Sequence, residues 1–209
     1  VVDDAVVDVA VVGGGMAGVS VAALLAADRT VLLLEAEPQL AYHTTGRSAA
    51  VFLDSYGAPL VRALTRASRP LYDAVPERDP DATALLTPTA GLLVADRAGL
   101  PELDATVAEV PSLRRLSPQQ ALGYCPVLSP DWLAGAAVEA GACTIDVMGL
   151  HQHYLRTGRR RGLAVRTGAR VLSGRRAGDA WRLSTTRGPV RAAVVVNAAG
   201  AWADLVAAA

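Results

Sequence analysis

Gly13-Gly14-Gly15-Met16-Ala17-Gly18 is a G-x-G-x-x-G placed directly after the β-branched run Val6-Val7-Asp8-Val9-Ala10-Val11-Val12. An Ala/Leu-rich run, Met16 to Ala27, follows it. Strand, glycine turn and helix in that order make the motif a candidate diphosphate cradle rather than an ordinary glycine cluster. Gly13 allows the tight turn, Gly15 lets a diphosphate approach the backbone, and Gly18 lets helix and strand pack closely. Met16 and Ala17 open the helix, whose N-terminus offers free N–H groups and a partial positive charge. Glu35 lies 22 residues after Gly13, with Ala36 next to it, at the end of the run Thr30-Val31-Leu32-Leu33-Leu34. A carboxylate there accepts hydrogen bonds from ribose hydroxyls and repels a 2′-phosphate, which disfavours NADP. The two motifs together point to an adenine dinucleotide and leave FAD and NAD both open.

The elements that must hold these residues read as a βαβ unit. Both strands lack apolar/polar alternation, as buried parallel strands do. Further along, Ser48 to Phe52 reads as the start of a short helix. Pro59 to Val75 reads as a helix with Leu60, Leu64, Ala67, Leu71 and Val75 on one face, kinked or broken at Pro70. Between Val75 and Pro130 stand seven prolines, Pro76, Pro80, Pro88, Pro101, Pro111, Pro118 and Pro126. Short pieces are expected there: a strand at Leu92 to Ala95 and helices at Pro101 to Glu109 and Pro118 to Leu122. Ser117-Pro118 suits an N-cap followed by proline at the first helical position. Leu133 to Glu139 reads as a strand, and Asp146 as the N-cap of a helix through about Arg160. Ala169 to Leu172, Trp181 to Thr185 and Val190 to Val196 then read as a small meander, with Gly174 to Asp179 separating its first two strands.

Composition narrows the field. The 209 residues carry 20 basic and 20 acidic side chains, with a net charge of zero, so nucleic acid is excluded as a partner. Every basic residue is Arg, so this chain has neither a Schiff-base lysine nor a P-loop lysine. Cys125 and Cys143 read as buried thiols in a reducing compartment. No apolar stretch is long enough to cross a bilayer, because Asp28-Arg29 cuts the longest one. Asp3, Asp4 and Asp8 stand where a signal peptide would carry Lys or Arg, so a cytoplasmic location is expected. His151 and His153 lie two apart on a helix, cannot share a metal, and read as surface or satisfied histidines. His43 reads as a hydrogen-bonded loop histidine, and Arg159-Arg160-Arg161 as a solvated helix end. No metal site is expected.

After the second strand comes Ala41-Tyr42-His43-Thr44-Thr45-Gly46-Arg47-Ser48-Ala49-Ala50-Val51-Phe52, where a simple NAD domain would continue into another βα unit. This stretch resembles the FAD-dependent D-amino-acid-oxidase-like (DAO) superfamily. With Tyr56-Gly57 and Val61 to Arg69, it is most similar to the bacterial D-arginine-dehydrogenase-like branch. The resemblance runs on to Val196-Asn197-Ala198-Ala199-Gly200-Ala201-Trp202-Ala203. It implies an α/β fold: a Rossmann-like FAD-binding domain, with a parallel sheet and a β-meander, plus part of an α+β substrate domain. Residues 1–55 and 140–209 would form the discontinuous FAD-binding domain, and 56–139 the first part of the substrate domain.

The resemblance also implies the site. Thr44, Thr45, Gly46, Arg47, Ser48, Ala49, Ala50 and Val51 would follow the ribityl chain and flavin ring, where small side chains and hydroxyls suit a flat, polar-edged ligand. Val171 would meet the adenine through its backbone, and Ala198, Ala199 and Gly200 would form a second contact near the diphosphate. Tyr56 would line the substrate pocket. The implied reaction is oxidation of the CH–NH2 group of a D-amino acid: a hydride leaves Cα for flavin N5, and the imine is hydrolysed to a 2-oxo acid and ammonia. No protein acid or base is assigned. The electron acceptor, oxygen, quinone or other, is left open. Gly91 and Val51 replace the acidic residue and histidine of D-arginine-preferring members, so a more apolar amino acid is expected. Alternatives are another donor (sarcosine, glycine, a hydroxy acid or glycerol phosphate) or a truncated, inactive FAD-binding remnant. The family's later part, with its substrate-carboxylate arginine, would be missing, which makes the chain a fragment.

Overall fold

Val9 to Val12 are buried in β1 (Ala5–Val12), and all four residues of β2 (Val31–Leu34) are buried. This is the pattern of central strands covered on both sides. The structure is a computed structural model that describes residues 5–209; Asp3 and Asp4 of the acidic start lie outside the described residues. The chain divides into two units, one running up to Ala49 and from Val147 onward, the other Ala50–Asp146.

In the first unit β1 and β2 sit inside a six-stranded sheet ordered β10-β11-β12-β1-β2-β9. The others are β9 (Ala164–Arg166), β10 (Val171–Ala177), β11 (Ala180–Thr185) and β12 (Val190–Asn197). β12, β1, β2 and β9 run parallel, and β10, β11 and β12 form an antiparallel meander. The α/β class, with a parallel sheet and a meander, is therefore as expected. Alternate residues of β1 and β2 serve opposite cores. Val9, Val11 and Leu33 pack with Val19 and Ala22 of α1 (Met16–Leu25), while Ala10, Leu32 and Leu34 pack with Leu183, Val190 and Ala192. α6 (Val147–Arg160) packs on α1. At the start of the sheet the Thr30 N–H and hydroxyl each donate to the Asp8 carboxylate, at 2.7 Å. These bonds, backbone first, hold the Asp8 carboxyl below its usual range.

Two local expectations for this unit change, and one strand is new. Gly174 to Ala177 extend β10 instead of separating strands, because the turn needs only Gly178-Asp179, with Gly178 at φ 66°. Arg161 is not simply solvated. Its guanidinium donates to the Ala23 carbonyl (2.9 Å) in the last turn of α1, where a cation suits the orphan carbonyls. β9 was not expected at all; three residues are too few to show a period.

The second unit holds two three-stranded antiparallel sheets. In one, β8 (Cys143–Ile145) lies between β3 (Val51–Phe52) and β4 (Leu86–Pro88). In the other, β7 (Gly135–Glu139) lies between β5 (Gly91–Ala95) and β6 (Leu113–Leu116). Val51 and Phe52 thus pair with Thr144 and Cys143 instead of opening a helix. Ala50, at φ 54°, interrupts any helical path into them. Every residue of β7 is buried: Ala137 joins Leu103 of α4 (Leu100–Glu109), and Ala136 and Val138 join Ala121 of α5 (Pro118–Tyr124). α5 starts with a complete capping box. The Ser117 hydroxyl accepts from the Gln120 N–H (3.2 Å), and the Gln120 side chain accepts from the Ser117 N–H (2.9 Å).

α2 (Pro59–Asp73) passes through Pro70 without a break, and α3 (Val75–Arg78) follows. Pro70 lies in the last turn of α2, where its missing N–H costs one hydrogen bond and little continues beyond it. No residue of α2 is buried: Leu60, Leu64 and Leu71 are 72%, 61% and 53% exposed. Of the cysteines, Cys143 is buried and Cys125 only partly so. Among the described residues no helix is long and apolar enough to cross a membrane.

Candidate dinucleotide site

Gly13 leaves β1 at φ +110°, and its N–H donates to the Leu34 carbonyl (2.8 Å) at the end of β2. A Cβ added to Gly13 would lie 2.3 Å from the Ala198 carbonyl oxygen, and one added to Gly18 would lie 1.8 Å from the Gly13 carbonyl oxygen. The turn after β1 is thus wedged between its own helix and the turn after β12, and only hydrogen atoms fit there. The Ala198 N–H completes the junction by donating to the Val12 carbonyl (2.8 Å). The Asn197 side chain closes that second turn, accepting from the Ala199 N–H (3.2 Å) and donating to the Ala203 carbonyl (2.7 Å).

These turns line a cavity of about 330 Å³ within the first unit. Gly13, Gly15, Met16, Ala17, Glu35, Ala36, Thr44, Thr45, Val171, Ala198, Ala199 and Gly200 all face it. Gly18 supports the cavity from behind through its contact with Gly13. α1 opens at Gly15 with no side-chain cap and no acidic residue in its first turn. One of its orphan donors is taken: the Met16 N–H donates to Thr45 Oγ1 (3.0 Å). The Thr45 hydroxyl keeps its own hydrogen to give to a ligand. Glu35 is likewise double-purposed. Its Oε2 accepts from the Gly14 N–H (2.7 Å) and its Oε1 from the Glu37 N–H (2.8 Å). Each oxygen retains a lone pair for a ribose hydroxyl. Uncapped N–H groups, glycines without room for a Cβ and a carboxylate at the strand end together suit the diphosphate and ribose of a dinucleotide.

Other expected residues are placed elsewhere. Gly46 packs on the Ala41 carbonyl, 2.4 Å from where its Cβ would stand, and the Arg47 guanidinium lies over the Tyr42 ring, 5.4 Å from its centroid. Neither lines the cavity, nor do Ser48 and Ala49. Ala50, Val51 and Tyr56 belong to the second unit, where Tyr56 is 73% exposed.

The cavity also has a wall that sequence reasoning did not assign. His43 Nε2 donates to Glu37 Oε1 (3.0 Å), and its ring stacks at a tilt against Trp202, with 4.4 Å between centroids. Glu37, Tyr42, His43, Arg170 and Trp202 all line the cavity. His43 is thus the hydrogen-bonded loop histidine expected, though one that faces the ligand space. Trp202 sits two residues beyond the Gly200 contact, which was the available signal. His151 is satisfied through one nitrogen but is fully buried rather than at the surface. Leu155 and Gly158, four and seven positions on, are also buried and carry the helical spacing that marks this face.

The sequence pattern of the FAD dependent oxidoreductase family, DAO, matches residues 8–209. Glycerol-3-phosphate dehydrogenase of Pseudomonas aeruginosa is 30% identical over 219 residues, covering 94% of this chain and 40% of its own length. Glycine oxidase from Geobacillus kaustophilus superposes with a TM-score of 0.84 at 24% identity, covering 98% of this chain and 58% of the oxidase. L-alpha-glycerophosphate oxidase from Mycoplasma pneumoniae, solved with FAD bound, superposes with a TM-score of 0.75 at 17% identity, covering 93% and 54%. The two structures share the fold, and the chain spans roughly half the length of these proteins. The glycine turn, the strand-end carboxylate and the family match agree on one conclusion: the chain belongs to the DAO family of FAD dependent oxidoreductases, and FAD is its cofactor.

Proposed function

We propose that this chain serves an enzyme that oxidises the CH–NH2 group of a D-amino acid, of the kind found in the D-arginine-dehydrogenase-like branch. Residues 1–55 and 140–209 act as its FAD-binding domain and 56–139 as the first part of its substrate domain. FAD supplies the two-electron acceptor when bound. The protein's own part is placement. Gly13, Gly15, Met16, Ala17 and Gly18 receive the diphosphate, with Ala198, Ala199 and Gly200 on its other side. Glu35 and Ala36 hold the ribose, and the Val171 backbone meets the adenine. The stretch Thr44 to Val51 follows the ribityl chain and ring, and Tyr56 contacts the substrate. The amine nitrogen leaves as ammonia after water adds to the imine, so one water is consumed for each 2-oxo acid formed.

One observation carries this reading. The His43-Thr44-Thr45-Gly46-Arg47-Ser48 stretch, which resembles the amine-oxidising branch, is tied to the helix N-terminus by the bond between Met16 N–H and Thr45 Oγ1. Gly91 and Val51 stand where guanidinium-recognising members have an acid and a histidine, which favours an apolar D-amino acid over D-arginine. A second reading, oxidation of a hydroxyl-bearing donor, draws support from the 30% identity to glycerol-3-phosphate dehydrogenase. A substrate panel with a dye acceptor separates them. Turnover of D-amino acids with release of ammonia is expected; turnover confined to glycerol phosphate or hydroxy acids would remove the amine reading.

A further inference from the structure

We propose that His151 is a positioning residue of the cofactor cavity, acting through the central peptide of the glycine turn. This extends the FAD-binding reading to a residue of α6, 137 positions away from the group it holds.

The Gly14 peptide groups are gripped on all sides. The Gly14 N–H donates to Glu35 Oε2 (2.7 Å). The Gly14 carbonyl accepts from the Ala41 N–H (3.1 Å) and lies 3.0 Å from His151 Nε2. A carbonyl only accepts, so Nε2 carries the hydrogen and donates it. The Gly14–Gly15 peptide is trans, so its C=O and N–H point in opposite directions. Two donors holding the carbonyl turn the Gly15 N–H to the other side, and Gly15 lines the cavity. That N–H is one of the donors a diphosphate needs at a helix N-terminus.

The imidazole has no comparable second role. His151 is fully buried, and its Nδ1 has no hydrogen-bond partner among the described residues. A leucine would fill the same space on the α6 face without stranding a polar nitrogen, which is costly in a dry interior. The bond to Gly14 is what offsets that cost.

The test compares His151→Leu, which keeps the bulk and removes the donor, with His151→Gln, whose amide reaches about as far as Nε2. The full chain is titrated with FAD by flavin fluorescence, and the Gly15 amide resonance is followed in the flavin-free chain. His151→Leu is expected to weaken FAD binding about tenfold or more and to displace the Gly15 resonance, while His151→Gln stays within about threefold of the parent. Binding of His151→Leu within threefold of the parent, or His151→Gln as weak as His151→Leu, overturns the proposal. Should the leucine variant not fold, His151→Asn, whose amide falls short of Gly14, takes its place under the same criteria. A parent chain that takes up no FAD would remove the cofactor reading alone. The Gly15 resonance then decides: unmoved in His151→Leu, it overturns the role of His151 as well.

Discussion

In the first unit β1 and β2 are sealed between two cores and α1 buries Val19, Ala22 and Ala23, whereas in the second unit α2 buries nothing. Both α1 and α2 carry apolar residues, and α2 has the more regular apolar stripe. The difference lies in what stands opposite. α1 meets Val9, Val11 and Leu33 of the sheet, whereas Leu60, Leu64 and Leu71 of α2 remain mostly open. Helical periodicity says which residues share a face; it does not say that the face is covered. The second unit draws its order from β7 instead, whose alanines and Val138 sit under α4 and α5.

Glycine substitutions separate the two units most strongly. A Cβ at Gly18 would stand 1.8 Å from the Gly13 carbonyl oxygen, while one at Gly141 would meet nothing within 4 Å among the described residues. Gly18→Ala should cost about 3 kcal/mol and abolish flavin retention, because the helix must move off the turn. Gly141→Ala should change stability by less than about 1 kcal/mol. Urea unfolding of both variants checks this, and equal midpoints would mean that the turn is not tightly packed.

Leucine truncation comes next. Leu33→Ala empties a site that is fully buried and should cost about 3 kcal/mol. Leu64→Ala on α2 should stay within about 0.5 kcal/mol. A large loss at Leu64 in thermal or urea unfolding would show that the α2 face is covered in solution.

Glu35 tests the cavity itself. Glu35→Ala removes the acceptor of the Gly14 and Glu37 N–H groups together with the acceptor offered to the ribose. It should weaken FAD about tenfold, with a smaller effect on the unfolding of the flavin-free chain. Fluorescence titration reads this, and unchanged affinity would leave Glu35 as a purely structural strand end.

The smallest effect is expected at Asp8, on the exposed rim of the same sheet. Its carboxyl is held below the ordinary value of 3.8 by the Thr30 donors. A depressed carboxyl stabilises the fold fully above the unfolded value and loses that contribution as pH falls through the lower, folded one. Parent and Asp8→Asn should therefore differ most near neutrality and converge below about pH 4. Unfolding midpoints measured from pH 7 down to pH 3 would show it; a gap that widens toward acid contradicts the assignment.

How much was legible in the sequence depended on how local the cause was. β1, the glycine turn, α1 and β2 follow from contiguous runs, and the capping box at Ser117 and Gln120 lies within four residues. The short strands β4, β6, β8 and β9 carried no signal. Three or four residues show no period, and each is a strand only because a partner pairs with it. The start of a helix read at Ser48 to Phe52 failed for the same reason: pairing with β8 outweighs local preference.

The sequence alone determined the strand–turn–helix, the strand-end carboxylate and the family. Their cause is backbone geometry that glycine, β-branched and helix-forming residues impose on their immediate neighbours. Three contacts arise from the folded chain: Glu35 divides its oxygens between Gly14 and Glu37, Thr45 reaches the start of α1, and His151 holds the Gly14 carbonyl. The Thr45 and His151 partners lie 29 and 137 positions away, and hydrogen bonds at such separations exist only once packing has brought the groups to within about 3 Å and removed the water that would otherwise satisfy them.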